Sequence, residues 1–390
     1  MKVALIFRWG VSPLFGWGVY GLNLMRHWPR VADGASAWSA TRIDEQAFAG
    51  MNPLELHALA EGLAGSSRLQ SVLGDRAGTC TQFDGIVLAP LSAMAPPDPQ
   101  LTGKVTCGVT FIEKTNLPGA AEAAAAYSLI IAGSSWNEEL LRANGVANVT
   151  TVLQGVDPTI FHPAPRSGAL EGRFAVFSGG KLEFRKGQDL VLLAFRAFAS
   201  RHPEAVLVTA WNSPWPQFAV TLNGNSRTAP LAFTAEGTVR TAEWAAANGI
   251  PAGQFIDLGS IPNYRMAGVL REMDVALFPN RCEGGTNLVA MECMACGVPA
   301  IVSNNTGHKD LVGTGAPFVL TRQQPVSGGA GGTEGWGESD VEEIVELLET
   351  AWSDREQARR RGAAGAEAMA GWSWRRQIGL LHDAITPLVG

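Results

Sequence analysis

At 390 residues, with 46% hydrophobic and 17% charged positions, the chain exceeds one ordinary core and reads as two globular domains. A formal net charge of −6 excludes nucleic acid as the main partner, because a phosphate backbone demands clustered Lys and Arg. No run approaches the roughly eighteen uninterrupted apolar residues of a membrane span. The opening Met1 to Phe7 is too short before Arg8 for a secretory leader, so a soluble, cytoplasmic protein is expected.

Lys2 to Phe7 reads as a buried first strand. Gly16-Trp17-Gly18-Val19-Tyr20-Gly21 follows, with the spacing of a dinucleotide fingerprint. That fingerprint must follow its strand directly, whereas eight residues separate Phe7 from Gly16, and Trp17 stands where backbone has to approach a pyrophosphate. An NAD-dependent oxidoreductase is therefore the least supported reading. Apolar runs at Gly85 to Ala89, Val105 to Phe111 and Ser128 to Ala132 alternate with helix-like segments at Pro53 to Ala64, Pro118 to Ala126 and Ser135 to Asn144. This alternation predicts a doubly wound parallel sheet, whose strand ends face a ligand crevice. Glu113, just past one such end, is a candidate site acid or a loop cap. Ser134 is expected to cap the helix that follows it. The stretch from Gly155 to Pro163 marks the passage to a second domain, giving residues 1–160 and 161–374, with a last helix within 375–390.

The second sheet opens at Phe174 to Phe177. Gly180, Lys181 and Lys186 then supply a glycine turn with cations before a helix, which is a phosphate clamp. Ala205 to Trp211 is the next strand, and Trp211 and Trp215 either rim an acceptor-sugar site or cover the sheet. After a strand at Phe255 to Leu258, a helix is expected near Tyr264 to Met273. The stretch from Val275 to Ser303 then reads as strand, polar loop, helix, strand. Gly284 and Gly285 permit close backbone approach, and the N–H groups of Thr286, Asn287, Leu288 and Val289 open a helix that suits an anion. Glu283 and Glu292 bracket this turn, and a carboxylate accepts two hydrogen bonds from a vicinal diol, so the pair suits a nucleotide sugar. Five cysteines form no disulfide framework; Cys293-x-x-Cys296 falls inside the helix with no partner pair to complete a metal or redox site. Ser327 to Ser339 is a glycine-rich loop with no phosphate-binding Lys, expected to be mobile. Arg359, Arg360 and Arg361 form a solvated face or a peripheral membrane contact.

The central stretch resembles the donor-binding motif of the retaining GT-B glycosyltransferases of glycosyltransferase family 4, in which two glutamates flank seven residues before an A-M-A-C-G-x-P tail. Met294 to Pro299 reads M-A-C-G-V-P, while eight residues separate Glu283 from Glu292, so Glu292 keeps its register with the tail. The family's G-R-L-x-x-x-K-G has Lys181 in place of its arginine, with Lys186 matching its lysine. Gly155 to Pro163 is similar to its G-V-D-x-x-x-F-x-P hinge, and Asp310 takes the place of a common glutamate. The resemblance implies an α/β fold of two doubly wound Rossmann-like domains facing each other across a cleft, with the helix at 375–390 crossing back to complete the first. It implies transfer of a sugar from a UDP- or GDP-sugar to a hydroxyl of a carbohydrate, lipid-linked or other acceptor, with retention, no permanently bound cofactor and no metal. Glu292 would hold the ribose, Glu283 the sugar, Lys181 and Lys186 the departing diphosphate, and Glu113 the reacting centre. Gly16 and Gly18 would belong to a loop over the donor phosphates, and Ile261 and Pro262 would lie near the base. A GT-B-type isomerase and a non-catalytic nucleotide-sugar-binding protein stay open beside this reading.

Overall fold

The computed structural model describes residues 3–75, 79–212, 214–224, 226–326 and 332–390. The first residues of the expected opening strand, Ser213, and residues 327–331 of the glycine-rich loop lie outside the described residues. The chain divides into two compact units, residues 1–112, 116–155 and 372–390 in the first, and 113–115 with 156–371 in the second.

The first unit contains β1 (Leu5–Phe7), α1 (Gly16–Val31), β2 (Ala37–Ser39), α2 (Pro53–Asp75), β3 (Thr81–Pro90), β4 (Leu101–Thr110), α3 (Ala120–Ala124), β5 (Leu129–Ala132), α4 (Ser135–Ala143) and β6 (Val149–Thr151). Its strands form one sheet in the order β2-β1-β3-β4-β5-β6, every pairing parallel. Parallel strands are covered on both faces, which is why their central residues form continuous apolar runs such as Ile86 to Ala89, all buried. α2 continues well beyond the expected Ala64. Gly62 and Gly65 are packing seats rather than stops: a Cβ on Gly65 would lie 2.2 Å from the Trp38 indole nitrogen. The three-residue edge strands β2 and β6 are too short to show a period and were not anticipated. Ser134 does cap α4, its hydroxyl accepting from the Asn137 N–H at 3.1 Å.

The second unit contains β7 (Phe174–Gly179), α5 (Gln188–Ala199), β8 (Ala205–Ala210), α6 (Thr241–Ala247), β9 (Phe255–Asp257), α7 (Asn263–Leu270), β10 (Val275–Phe278), α8 (Leu288–Ala295), β11 (Ala300–Ser303), α9 (His308–Val312), β12 (Phe318–Leu320), β13 (Gln323–Pro325), β14 (Gly337–Ser339), α10 (Val341–Ser353) and α11 (Arg355–Ala370). Its main sheet runs β12-β11-β10-β7-β8-β9, again wholly parallel, with β13 and β14 as a separate antiparallel pair. The last helix, α12 (Trp374–Ile385), belongs to the first unit and packs on α1. No helix among the described residues is long and apolar enough to cross a membrane.

Two alternatives left open by the sequence are decided here. Trp211 does not rim an acceptor site: it is fully buried in the second core, its indole donating to Ser178 Oγ at 3.1 Å. Of Arg359, Arg360 and Arg361 on α11, the first two are exposed and the third is half-buried. Arg361 donates to the carbonyls of Ala316 and Pro317 and lies over the Phe318 ring, and Arg360 pairs with Glu356.

Candidate active site

The central strands β7 and β10 deliver their C-terminal ends side by side, and the loops that leave them form the candidate site. After β7, the chain passes Gly180 (φ 110°) and Lys181, makes a single tight turn at Phe184–Lys186, and enters α5 through Gly187 (φ 70°). A Cβ on Gly187 would lie 2.3 Å from the Pro279 carbonyl oxygen, so the basic turn seats against the β10 loop only because this residue is glycine. The Arg281 N–H closes the seam, donating to the Arg185 carbonyl at 2.7 Å.

Glu283 is the electrostatic centre. Its carboxylate accepts from Lys186 Nζ and Asn280 Nδ2 on one oxygen, and from Arg185 Nη1 at 2.9 Å on the other. Burial opposes ionisation, but the Lys186 ammonium and Arg185 guanidinium outweigh it and hold the carboxyl at about 2. Arg185, itself buried, also pairs with Glu183 and, at 2.9 Å, with half-buried Glu113. Burial raises the Glu113 carboxyl, and the Arg185 charge works against that rise. Lys181 joins this cluster at its edge, 3.0 Å from Glu183 and 4.3 Å above the Phe218 ring. Three acids and two lysines thus interlock around Arg185.

Beyond Glu283, the loop through Gly284, Gly285 and Thr286 lies under Gly307. A Cβ on Gly307 would fall 2.0 Å from the Gly285 oxygen, and the Gly307 N–H donates to the Glu283 carbonyl at 2.9 Å. Asn287 takes a left-handed conformation (φ 68°) and caps α8, whose first two residues, Leu288 and Val289, are half-buried. His308 holds the Asn287 amide. Ser303 Oγ donates to the Asn280 carbonyl, so it receives from His308 Nδ1, leaving Nε2 to accept from Asn287 Nδ2 at 3.1 Å. Burial lowers the His308 ring to about 4, so it is neutral at pH 7. Glu292 lies on α8 away from this cluster and accepts from Asn263 Nδ2 at the start of α7; burial raises its carboxyl to about 8.

The structure therefore brings Glu113, Lys181, Lys186 and Glu283 together, with the glycines and Asn287 beside them and Glu292 one helix face away. Gly16 and Gly18 belong to the other unit, at the start of α1. A Cβ on Gly18 would lie 2.6 Å from the Ser12 oxygen, so that glycine admits the chain's own turn. Sequence reasoning did not assign roles to Arg185, Arg281, Asn280, Asp189, Asn263 or His308. Arg281 and Asn280 were signalled only by their place between Pro279 and Glu283. No cluster of ligating side chains suited to a metal ion occurs among the described residues.

Two Rossmann-like domains define the GT-B class of fold, and solved structures of that class match along nearly the whole chain. Sucrose-phosphate synthase from Thermosynechococcus elongatus matches with TM-score 0.65 and 14% identity over 98% of this chain and 99% of its own. Anabaena HepE in complex with UDP and glucose matches with TM-score 0.64 and 13% identity over 98% of this chain and 100% of its own. The chain belongs to the family described as family 4 glycosyltransferase in conflict systems, whose model matches residues 133–381. A curated relative, the GDP-mannose-dependent alpha-(1-6)-phosphatidylinositol dimannoside mannosyltransferase of Mycobacterium tuberculosis, is 28% identical over 198 residues, which is 49% of this chain and 45% of the relative. The chain thus spans about half the length of the curated relatives it matches.

Proposed function

We propose that this protein transfers a sugar from a nucleoside diphosphate sugar to an acceptor hydroxyl, with retention at the anomeric carbon. The observation that carries the reading is the Lys186–Glu283–Arg185 cluster beside the capped start of α8, because it pairs fixed cations with a carboxylate at the strand ends where a diphosphate sugar binds. The curated relative uses GDP-mannose and the HepE neighbour holds UDP, so both nucleotides are candidate donors. The acceptor is a carbohydrate or lipid-linked hydroxyl.

In the proposed reaction the ribose diol donates to Glu292 and the diphosphate lies against the first-turn N–H groups of α8. An ammonium has three donors and Glu283 occupies one, so Lys186 turns its remaining donors to the phosphate oxygens. The other Glu283 oxygen, the one bonded to Arg185, keeps acceptor capacity for the sugar hydroxyls. Lys186 and Lys181 then meet the charge that grows on the departing diphosphate, which in turn takes the proton of the acceptor attacking on the same face. Glu113, oriented by Arg185, stabilises the cationic sugar carbon. The isomerase reading needs two acids on opposed faces of the sugar, whereas Glu113 and Glu283 are tied to one guanidinium.

Calorimetric titration with UDP, GDP, ADP and NAD, repeated on Glu292→Ala, tests the reading. Saturable binding of one nucleoside diphosphate, weakened about ten- to a hundredfold in the variant, supports it. Binding of NAD alone overturns it.

A further inference from the structure

One group in the second unit exceeds what stability requires. Arg281 is fully buried and its guanidinium makes a two-pronged bond to the equally buried Asp189, at 2.8 and 2.7 Å, in the first turn of α5. It also donates to the Phe184 carbonyl at 2.7 Å, lies 3.9 Å over the Phe184 ring, and gives its Nε–H to Glu338 of β14 at 2.8 Å. Through its backbone it receives the Gly337 N–H at 3.0 Å. Next to Gly337, Trp336 donates its indole N–H to the Glu113 carbonyl at 2.7 Å.

We infer that Arg281 is a positioning residue that locks the basic turn, the donor loop and the segment bearing Glu113 into one geometry. Each of the three carries a charge on which the proposed transfer depends, and the inference rests on that reading. A buried ion pair is a poor source of stability, since apolar residues of similar volume replace it without loss; what it supplies is a fixed direction between the groups it joins. Lysine keeps the charge but has no planar fork, so it cannot hold Asp189, Phe184 and Glu338 together. Arg281 touches neither nucleotide nor sugar in this scheme. Its effect passes through the spacing of Lys186, Glu283 and Glu113.

The test is a double variant of the full chain, Arg281→Met with Asp189→Leu, measured for melting temperature, segmental hydrogen exchange and donor kinetics. The expected result is an unchanged or higher melting temperature and faster exchange confined to residues 183–189, 281–287 and 335–338. Turnover falls at least about tenfold while donor KM stays within about threefold, since the lost spacing matters only as charge develops. Glu338→Gln leaves the fork intact and serves as the second variant, with exchange rising at 335–338 alone and a smaller loss of turnover. Unchanged exchange, unchanged turnover, or faster exchange throughout the second unit overturns the inference. Should the wild-type protein bind no nucleoside diphosphate, the proposed transfer fails, and the exchange pattern still decides whether the three segments are locked through Arg281.

Discussion

Glu283 and Glu292 are chemically identical, and their surroundings drive them in opposite directions. Burial raises both; Lys186 and Arg185 reverse the effect at Glu283, whereas at Glu292 the Asn263 amide does not. For Glu292, at about 8 against an ordinary 4.5, the folded state holds the extra proton between these values, so stability is full below pH 4.5 and declines as pH rises through 8. Its contribution has a slope of at most about 1.4 kcal/mol per pH unit. Glu292→Gln is expected to flatten that slope in urea denaturation, and nucleotide affinity, which in the proposed binding mode uses the carboxylate, is expected to rise from pH 6 to pH 9 in the wild type only. Glu283 works the other way: held at about 2, it contributes stability above pH 4.5 that is lost as pH falls through 2. Replacing it with Gln takes the carboxylate from buried Lys186 and one of three from Arg185, and the expected loss is about 3–5 kcal/mol. A loss below about 1 kcal/mol would show the pair to be no better than a surface contact.

At the scale of elements, residue type and spacing identified the strands that are buried on both faces and the loop between β10 and α8. The partners inside that loop were not legible. Arg185 meets Glu283 across 98 positions of chain and Arg281 meets Asp189 across 92, and a linear pattern records which residues are polar without recording which ones meet. Helix ends failed for a related reason, as at Gly65, where tertiary packing against Trp38 decides what local propensity would have left as a stop. Two backbone positions carry the loop geometry and yield a prediction. Asn287 combines a left-handed conformation with the cap on Ala290, so Asn287→Ala should cost about 1–2 kcal/mol, and Asn287→Gly distinctly less because glycine accepts the backbone angle. Equal losses in chemical denaturation would place the whole effect in the side-chain cap and none in the backbone.

At the scale of the molecule, the first unit is assembled from both ends of the chain. α12 buries Trp374, Ile378, Leu381 and Ile385, with Trp374 stacked on Tyr20 at 5.3 Å. Gly155, read in the sequence as part of a hinge, is also the seat for this helix: a Cβ there would lie 2.4 Å from the Trp374 nitrogen. Hydropathy shows that α12 is amphipathic but not which unit its apolar face covers. Each large apolar side chain in that face contributes about 1.5–3 kcal/mol on burial, and four together rival the roughly 5–15 kcal/mol that holds a whole domain folded. Removal of residues 372–390 is therefore expected to unfold the first unit and leave the second intact, because the second core draws on none of them. The separate fragment 156–371 should unfold cooperatively and retain nucleoside diphosphate binding, since the basic turn, α8 and Glu292 all lie within it, while lacking Glu113 and transfer activity. Two-transition denaturation and calorimetry on both truncated chains decide the matter. A chain ending at 371 that unfolds at the full-length midpoint would mean that α12 is an appendage, and that the first unit is stable on its amino-terminal residues alone.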